Sequence, residues 1–175
     1  MERQITRFMN EQKTLRIEKI KEGTVLDHIK SGFALIVLKS LNLDYPLDNL
    51  ITIGINVSSS SSSDGKKDII KIENKFLTEK QLHSLSLLSP KCKVSLIKNY
   101  EVVEKKAIEL PEKVVGLFGC PNDNCISREE NEPVHPEFNI INLRPLKLSC
   151  EYCSRVVLKQ ELYHLLEMYA TPPSL

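Results

Sequence analysis

The chain has 175 residues, 41% of them hydrophobic and 27% charged, and its 24 Lys and Arg against 23 Asp and Glu leave a formal charge of +1. That length holds one ordinary domain or two small ones, the apolar content is too high for a disordered chain, and the charge balance lacks the basic character of a nucleic-acid-binding domain. The longest apolar stretch, Phe33 to Leu38, falls far short of the roughly 20 residues that span a bilayer, and the polar start with Glu2 and Arg3 carries no secretory pattern, so a cytoplasmic protein is expected.

In chain order, Thr14 to Lys21 alternates Leu15, Ile17 and Ile20 with polar residues, which predicts a strand ended by Gly23. From Ser31, a candidate cap, Phe33, Ile36, Val37 and Leu41 fall on one helical face. Leu50 to Val57 and Lys67 to Glu73 predict two neighbouring strands, joined by a loop with six consecutive serines, Ser58 to Ser63. Such a tract reads as a flexible hairpin loop rather than as a phosphorylation site. Thr78 and Gln81 have capping-box spacing, Leu82, Leu85 and Leu88 continue a helical face, and Pro90 stops it. Lys93 to Lys98 and Tyr100 to Lys105 alternate again, with Asn99 as a bulge or turn between them. Strand, helix, strand, strand, helix, strand is the βαββαβ order of a ferredoxin-like fold. One antiparallel sheet then carries both helices on one face and leaves the other for a ligand or partner.

Near Pro111 the character changes, and four of the five cysteines lie beyond it. Domains over 1–110 and 111–175 are expected, the second small and mostly β. Its cysteines read Cys120-x4-Cys125 and Cys150-x2-Cys153 with 24 residues between the pairs. Two knuckles of this kind can aim four thiolates at one tetrahedral ion, and four sulfurs leave no open position for water, so the metal is structural. One Zn²⁺ per chain is the expected cofactor, although iron in a rubredoxin-like setting takes the same ligands. A thioredoxin-type reading of Cys150 and Cys153 leaves the other pair unexplained, and two disulfides need an oxidising compartment. Cys92 reads as an ordinary residue at a strand start, and His135 and His164 are surplus. A stand-alone zinc ribbon binding nucleic acid or protein is the alternative function, but Glu129, Glu130, Glu132 and Glu137 crowd the loop between the knuckles. Leu158, Leu162, Leu165, Leu166 and Tyr169 predict a further helix over the second domain or an added interface.

The stretches GTVLDHI (Gly23 to Ile29), ITIGINV (Ile51 to Val57), KKDIIKIEN (Lys66 to Asn74), NYEVVEK (Asn99 to Lys105), CPNDNCIS (Cys120 to Ser127) and CEYC (Cys150 to Cys153) together resemble the regulatory chain of aspartate carbamoyltransferase. The resemblance implies a non-catalytic chain that binds CTP, UTP and ATP as allosteric effectors and adjusts a partner catalytic chain at the first committed step of pyrimidine synthesis. Regulatory chains of that family pair, and three such dimers join two catalytic trimers. Carried over by position, Lys105 is expected on the effector's phosphates, Lys71 near its ribose, and Asp27 and His28 beside both. The same resemblance puts Ile17, Glu18 and Ile20 at the base through backbone groups, Tyr100 and Val102 as apolar walls, and Val25, Lys67, Ile69, Ser95 and Ile97 in the same pocket. Lys19 stands where a small residue is common and Ser95 where an asparagine commonly meets the base. Asn122 and Asn124, in the first knuckle, are expected to face the catalytic chain.

Overall fold

A computed structural model describes residues 18–43 and 48–169. The first sheet comprises β1 (Gly23–Ile29), β2 (Ile51–Ser58), β3 (Lys66–Glu73), β4 (Lys93–Lys98) and β5 (Glu101–Ala107), with α1 (Ala34–Ser40) after β1 and α2 (Glu79–Leu88) after β3. Its strand order, β2-β3-β1-β4-β5, is antiparallel throughout. This is the expected ferredoxin-like sheet with one further edge strand, added by a tight hairpin in which Asn99 and Tyr100 have φ of 51° and 66°. Both central residues of such a turn need positive φ, because that twist matches the flanking strands.

The first strand is displaced from its expected place. Residues 18–21 carry no strand, while 14–17 lie outside the described residues. Gly23 opens β1 instead of ending its predecessor. Its φ is +133°, and a Cβ there would stand 2.1 Å from the Ile72 carbonyl oxygen, so the register of β1 on β3 requires glycine.

Strand alternation sorts the residues by face. Leu26, Ile70, Ile72 and Val94 point to the helices and are essentially inaccessible, together with Ala34, Val37, Leu41, Leu85 and Leu88 of the helical layer. α2 begins as expected: the Thr78 hydroxyl accepts from the Gln81 N–H at 3.3 Å and the Gln81 side chain accepts from the Thr78 N–H at 2.9 Å. α1 does not. Ser31 donates its hydroxyl to Asn56 instead, and the helix is capped from a distance by Asp68 of β3, whose carboxylate accepts from the Ala34 N–H at 2.8 Å and from the Asn56 N–H at 2.8 Å. Asp68 is fully buried and binds the α1 entrance to the end of β2. Asp68→Ala would orphan the buried Ala34 N–H, at a cost of roughly 1 to 3 kcal/mol, and the Asn56 N–H, whose exposed position makes its loss cheaper. Thermal unfolding of that variant should show a loss of about 1 to 3 kcal/mol, whereas Ser31→Ala should lie within about 0.5 kcal/mol of the parent.

The second sheet runs β6-β7-β8-β9, with β6 (Lys113–Val115), β7 (Glu137–Leu143), β8 (Leu146–Cys150) and β9 (Val156–Leu158). Phe118 and Phe138 pack at its centre with ring centroids 4.6 Å apart. The expected C-terminal helix is present as α3 (Lys159–Tyr169), and Leu162, Leu165 and Leu166 are buried. Its direction is the finding. It reaches back over α1 of the first domain, where Phe33 and Tyr163 meet edge to face at 5.4 Å and Lys39 bonds Glu167 at 3.3 Å. The two domains share one continuous apolar core. Among the described residues no helix is long and apolar enough to cross a membrane.

Candidate functional site

The sheet face away from the helices collects most of the residues singled out for effector binding. The ladders align Thr52, Lys71, Val25, Ser95 and Lys105 directly across all five strands. Two residues along, Ile69 and Asp27 share that face, and Ile97 lies opposite Val102. An irregular stretch of β1 after Leu26 gives His28 a φ of 61°, so its side chain leaves the regular alternation.

Charge on this face is organised around Asp27. Lys67 donates to it at 2.8 Å, and His28 Nδ1 stands 3.1 Å away without the alignment of a hydrogen bond. The His28 backbone N–H also bonds the Asp27 carboxylate at 2.8 Å. Partial burial raises the Asp27 pKa, but Lys67 and the His28 N–H outweigh it and hold the carboxyl below its usual value. His28 Nε2 bonds the Ser61 hydroxyl at 2.9 Å, which ties the serine loop to the end of β1. Within that loop the Ser59 N–H bonds the Gly65 carbonyl at 2.8 Å.

Lys71 is nearly buried, its ammonium donates to the Glu18 carbonyl, and burial lowers its pKa. Lys105, by contrast, is exposed on the edge strand, as is Val102, and Tyr100 is exposed in the turn before it. Ile20 is 4% exposed, so its side chain belongs to the core. Ile17 lies outside the described residues. The face therefore offers an apolar centre at Val25 and Ile97, one cation sunk at Lys71 and another exposed at Lys105.

The cysteines form a second centre. The sulfurs of Cys120, Cys125, Cys150 and Cys153 all lie within 4.8 Å of one another, with Cys120 to Cys153 at 3.6 Å and Cys125 to Cys150 at 3.8 Å. A tetrahedral ion with metal–sulfur bonds of about 2.3 Å sets its sulfurs about 3.8 Å apart. These four residues fit one. Local turns build the cluster: the Cys125 N–H bonds the Asn122 carbonyl at 3.0 Å, and the Ser154 N–H bonds the Cys150 carbonyl at 3.0 Å with Ser154 at φ 57°. Burial raises the thiol pKa values of Cys120 and Cys150. Cys153 is also pushed up by burial, but the Arg155 N–H, Asn122 and the neighbouring thiols bring it down to about 7. Because an ion binds thiolates, it would displace these protons and supply the charge that holds the crowded sulfurs together.

Asn122 serves the knuckle itself, accepting from the Asn124 N–H at 3.1 Å and lying against Cys153, while Asn124 is exposed. Cys92 is buried at the start of β4, and burial, then the nearby Asp27 charge, pushes its thiol up to about 12. Among the described residues no histidine joins the four-cysteine group.

Two family models match along the chain. One, described as the aspartate carbamoyltransferase regulatory chain, allosteric domain, covers residues 15–109. The other, the metal binding domain of the same chain, covers residues 112–163. The chain belongs to the aspartate carbamoyltransferase regulatory chain family. Curated relatives of that name agree over nearly their whole length. The regulatory chain of Thermoplasma volcanium is 46% identical over 153 residues, 87% of this chain and 99% of the relative. That of Ignicoccus hospitalis is 40% identical over 156 residues, 89% and 99% of the two chains, and that of Thermococcus sibiricus 46% over 145 residues, 83% and 93%. An allosteric domain followed by a metal-binding domain is thus the organisation of this regulatory chain. The metal-domain match stops at 163, part-way along α3.

Asp68 stands outside the motifs of the sequence although it joins β2, β3 and α1. Asp68 was recoverable, since an aspartate at a helix-facing position of an alternating strand must have a buried partner.

Proposed function

We propose that this chain is the non-catalytic regulatory subunit of an aspartate carbamoyltransferase, which binds CTP, UTP and ATP on the open face of its first sheet and controls the committed step of pyrimidine synthesis in the cytoplasm. The observation that carries the reading is the row across four strands from Lys71 through Val25 and Ser95 to Lys105. It sets an apolar floor between two cations, one end suiting a ribose and base and the other a phosphate chain. Lysine ammonium groups bind phosphates as point charges on flexible stems. Backbone groups of Glu18 and Ile20 would read the base, which lets purine and pyrimidine compete for one pocket. Asp27 orients Lys67 and His28 at the far end of the same face.

The second domain, from about residue 111, docks on the catalytic chain through its first knuckle, where Asn124 is exposed. A zinc ion held by the four cysteines supplies structure and no chemistry, since four thiolates close its coordination shell. Regulatory chains pair within an assembly of two catalytic trimers and three regulatory dimers. Regulation is a population shift: an effector changes activity only through its differential affinity for two states of the assembly, on a usual scale of roughly 1 to 3 kcal/mol.

Co-expression with an aspartate carbamoyltransferase catalytic trimer tests the reading. The two should co-purify, and CTP and ATP should change the aspartate dependence of the complex while leaving the isolated trimer unaffected. A trimer that never associates with this chain would refute it.

A further inference from the structure

A cavity of about 530 Å³ lies at the junction of the two domains, among the end of α1, the start of α2, the segments after β6 and before β7, and α3. Its volume lies within the range of small-ligand sites. It belongs to the helical side of the first sheet, and none of the residues assigned to the effector face or to the metal lines it. Leu41, Phe118 and Leu166, all buried, give it an apolar floor drawn from both domains. Among the described residues, no aspartate or glutamate is part of its lining.

The polar lining divides into groups already used by the fold and groups that are not. The Ser40 and Ser84 hydroxyls donate to the Val37 and Lys80 carbonyls of their own helices, at 2.8 and 3.3 Å. Thr78 and Gln81 are held in the capping box, and the Gln81 amide donates to the Leu41 carbonyl at 2.6 Å. Asn42, Lys80 and His135 remain: all three are exposed, and their side chains have no hydrogen bond or ion pair among the described residues. Lys80 reaches from the first domain to the second, its ammonium 3.9 Å from the place that a Cβ on Gly116 would take. Gly116 has a φ of 61°, and its N–H bonds the Pro136 carbonyl at 2.8 Å, so the wall facing Lys80 is tied down and bare of a side chain at that point. A cation without a neighbouring acid, at the edge of a concave apolar space, focuses its field on an entering anion. The His135 imidazole adds a hydrogen-bonding group from the other domain.

We propose that this cavity binds a small monocarboxylate with an apolar body, its carboxylate on Lys80 and His135 and its hydrocarbon against Leu41, Phe118 and Leu166. One ammonium, with an amide and an imidazole on the same lining, matches a single negative charge and would leave most of a triphosphate unmatched. The ligand thus differs from the nucleotide effectors in chemistry as well as in place, and the inference does not depend on the effector reading. Because Lys80 belongs to the first domain and His135 to the second, the bound acid ties α2 to the segment before β7.

The probe is 4-phenylbutyrate, with 4-phenylbutanol as its uncharged counterpart, each titrated calorimetrically into the full metal-loaded chain. One equivalent of the acid should bind with a dissociation constant of about 1 mM or tighter, as ordinary ligand efficiency over about 12 non-hydrogen atoms allows. The alcohol should bind roughly tenfold more weakly, the loss expected when a charge-assisted hydrogen bond is removed. Lys80 is exposed in the first turn of α2 and takes no part in its capping bonds. Lys80→Gln should therefore melt as the parent does, bind the acid roughly tenfold more weakly and bind the alcohol unchanged. Lys105→Ala, on the opposite face of the sheet, should bind the acid as the parent does. Bound acid should shift the amide resonances of Gly116 and Gly119 and raise the melting temperature. The proposal is overturned if the parent binds no acid, if the alcohol binds equally well, or if Lys80→Gln binds the acid undiminished. It is equally overturned if Lys105→Ala loses as much as Lys80→Gln, or if the resonances that shift lie away from the domain junction. CTP and ATP titrated into Lys105→Ala test the effector face independently.

Discussion

Serine in place of Cys120 or Cys153 is expected to abolish metal binding and unfold the second sheet. The four sulfurs lie within 4.8 Å of one another, and the turns at Asn122–Cys125 and Cys150–Ser154 exist to aim them. A hydroxyl is a poor substitute for a thiolate, and the three remaining sulfurs leave the ion an open position. Structural zinc contributes roughly 10 to 16 kcal/mol to small modules, comparable to the roughly 5 to 15 kcal/mol that stabilises a whole domain. Metal analysis of the purified variants should fall from one ion per chain to a small fraction, and amide exchange across β7 and β8 should lose its protection. A variant that keeps full metal content and a protected second sheet would contradict the structural role.

The other large effect is expected at Lys105. Its ammonium is exposed at the end of the five-strand row, with no ion pair among the described residues. Removing it should therefore leave the fold, the metal and the assembly unchanged. A charge-assisted hydrogen bond to phosphate contributes roughly 1.5 to 3 kcal/mol, so Lys105→Ala should weaken CTP and ATP alike by roughly 10- to 100-fold. The common loss matters, because the two nucleotides share ribose and triphosphate and differ only in the base. Unchanged affinity for both would remove Lys105 from the site. Loss of one alone would place it at the base.

Much of this was readable before any coordinates. The capping box at Thr78, the turn at Asn99 and the cysteine spacing each rest on local chemistry, and each appears where local chemistry put it. Family resemblance supplied the effector residues, and strand parity then brought Lys71, Val25, Ser95 and Lys105 onto one face. The failures are equally physical. β1 is hard to see in the sequence because Asp27 and His28 interrupt its apolar pattern and an irregularity follows Leu26, whereas Thr14 to Lys21 alternates more cleanly. Ser31 is a good cap by type, but Asp68 takes that role from 34 residues away in sequence, and no local rule reports such a partner. Apolar spacing announced α3 without saying which surface it would cover.

That surface has a thermodynamic consequence. Because α3 leaves the metal-bound sheet and buries Leu162, Leu165 and Leu166 in a core continuous with that of the first domain, the two halves are not separate cooperative units. The folded chain should melt in a single calorimetric transition, and a chelator that strips the ion should loosen α1 as well as the knuckles. Coupling of this sort links two ends of the molecule through shared stability, with no change of shape required of either.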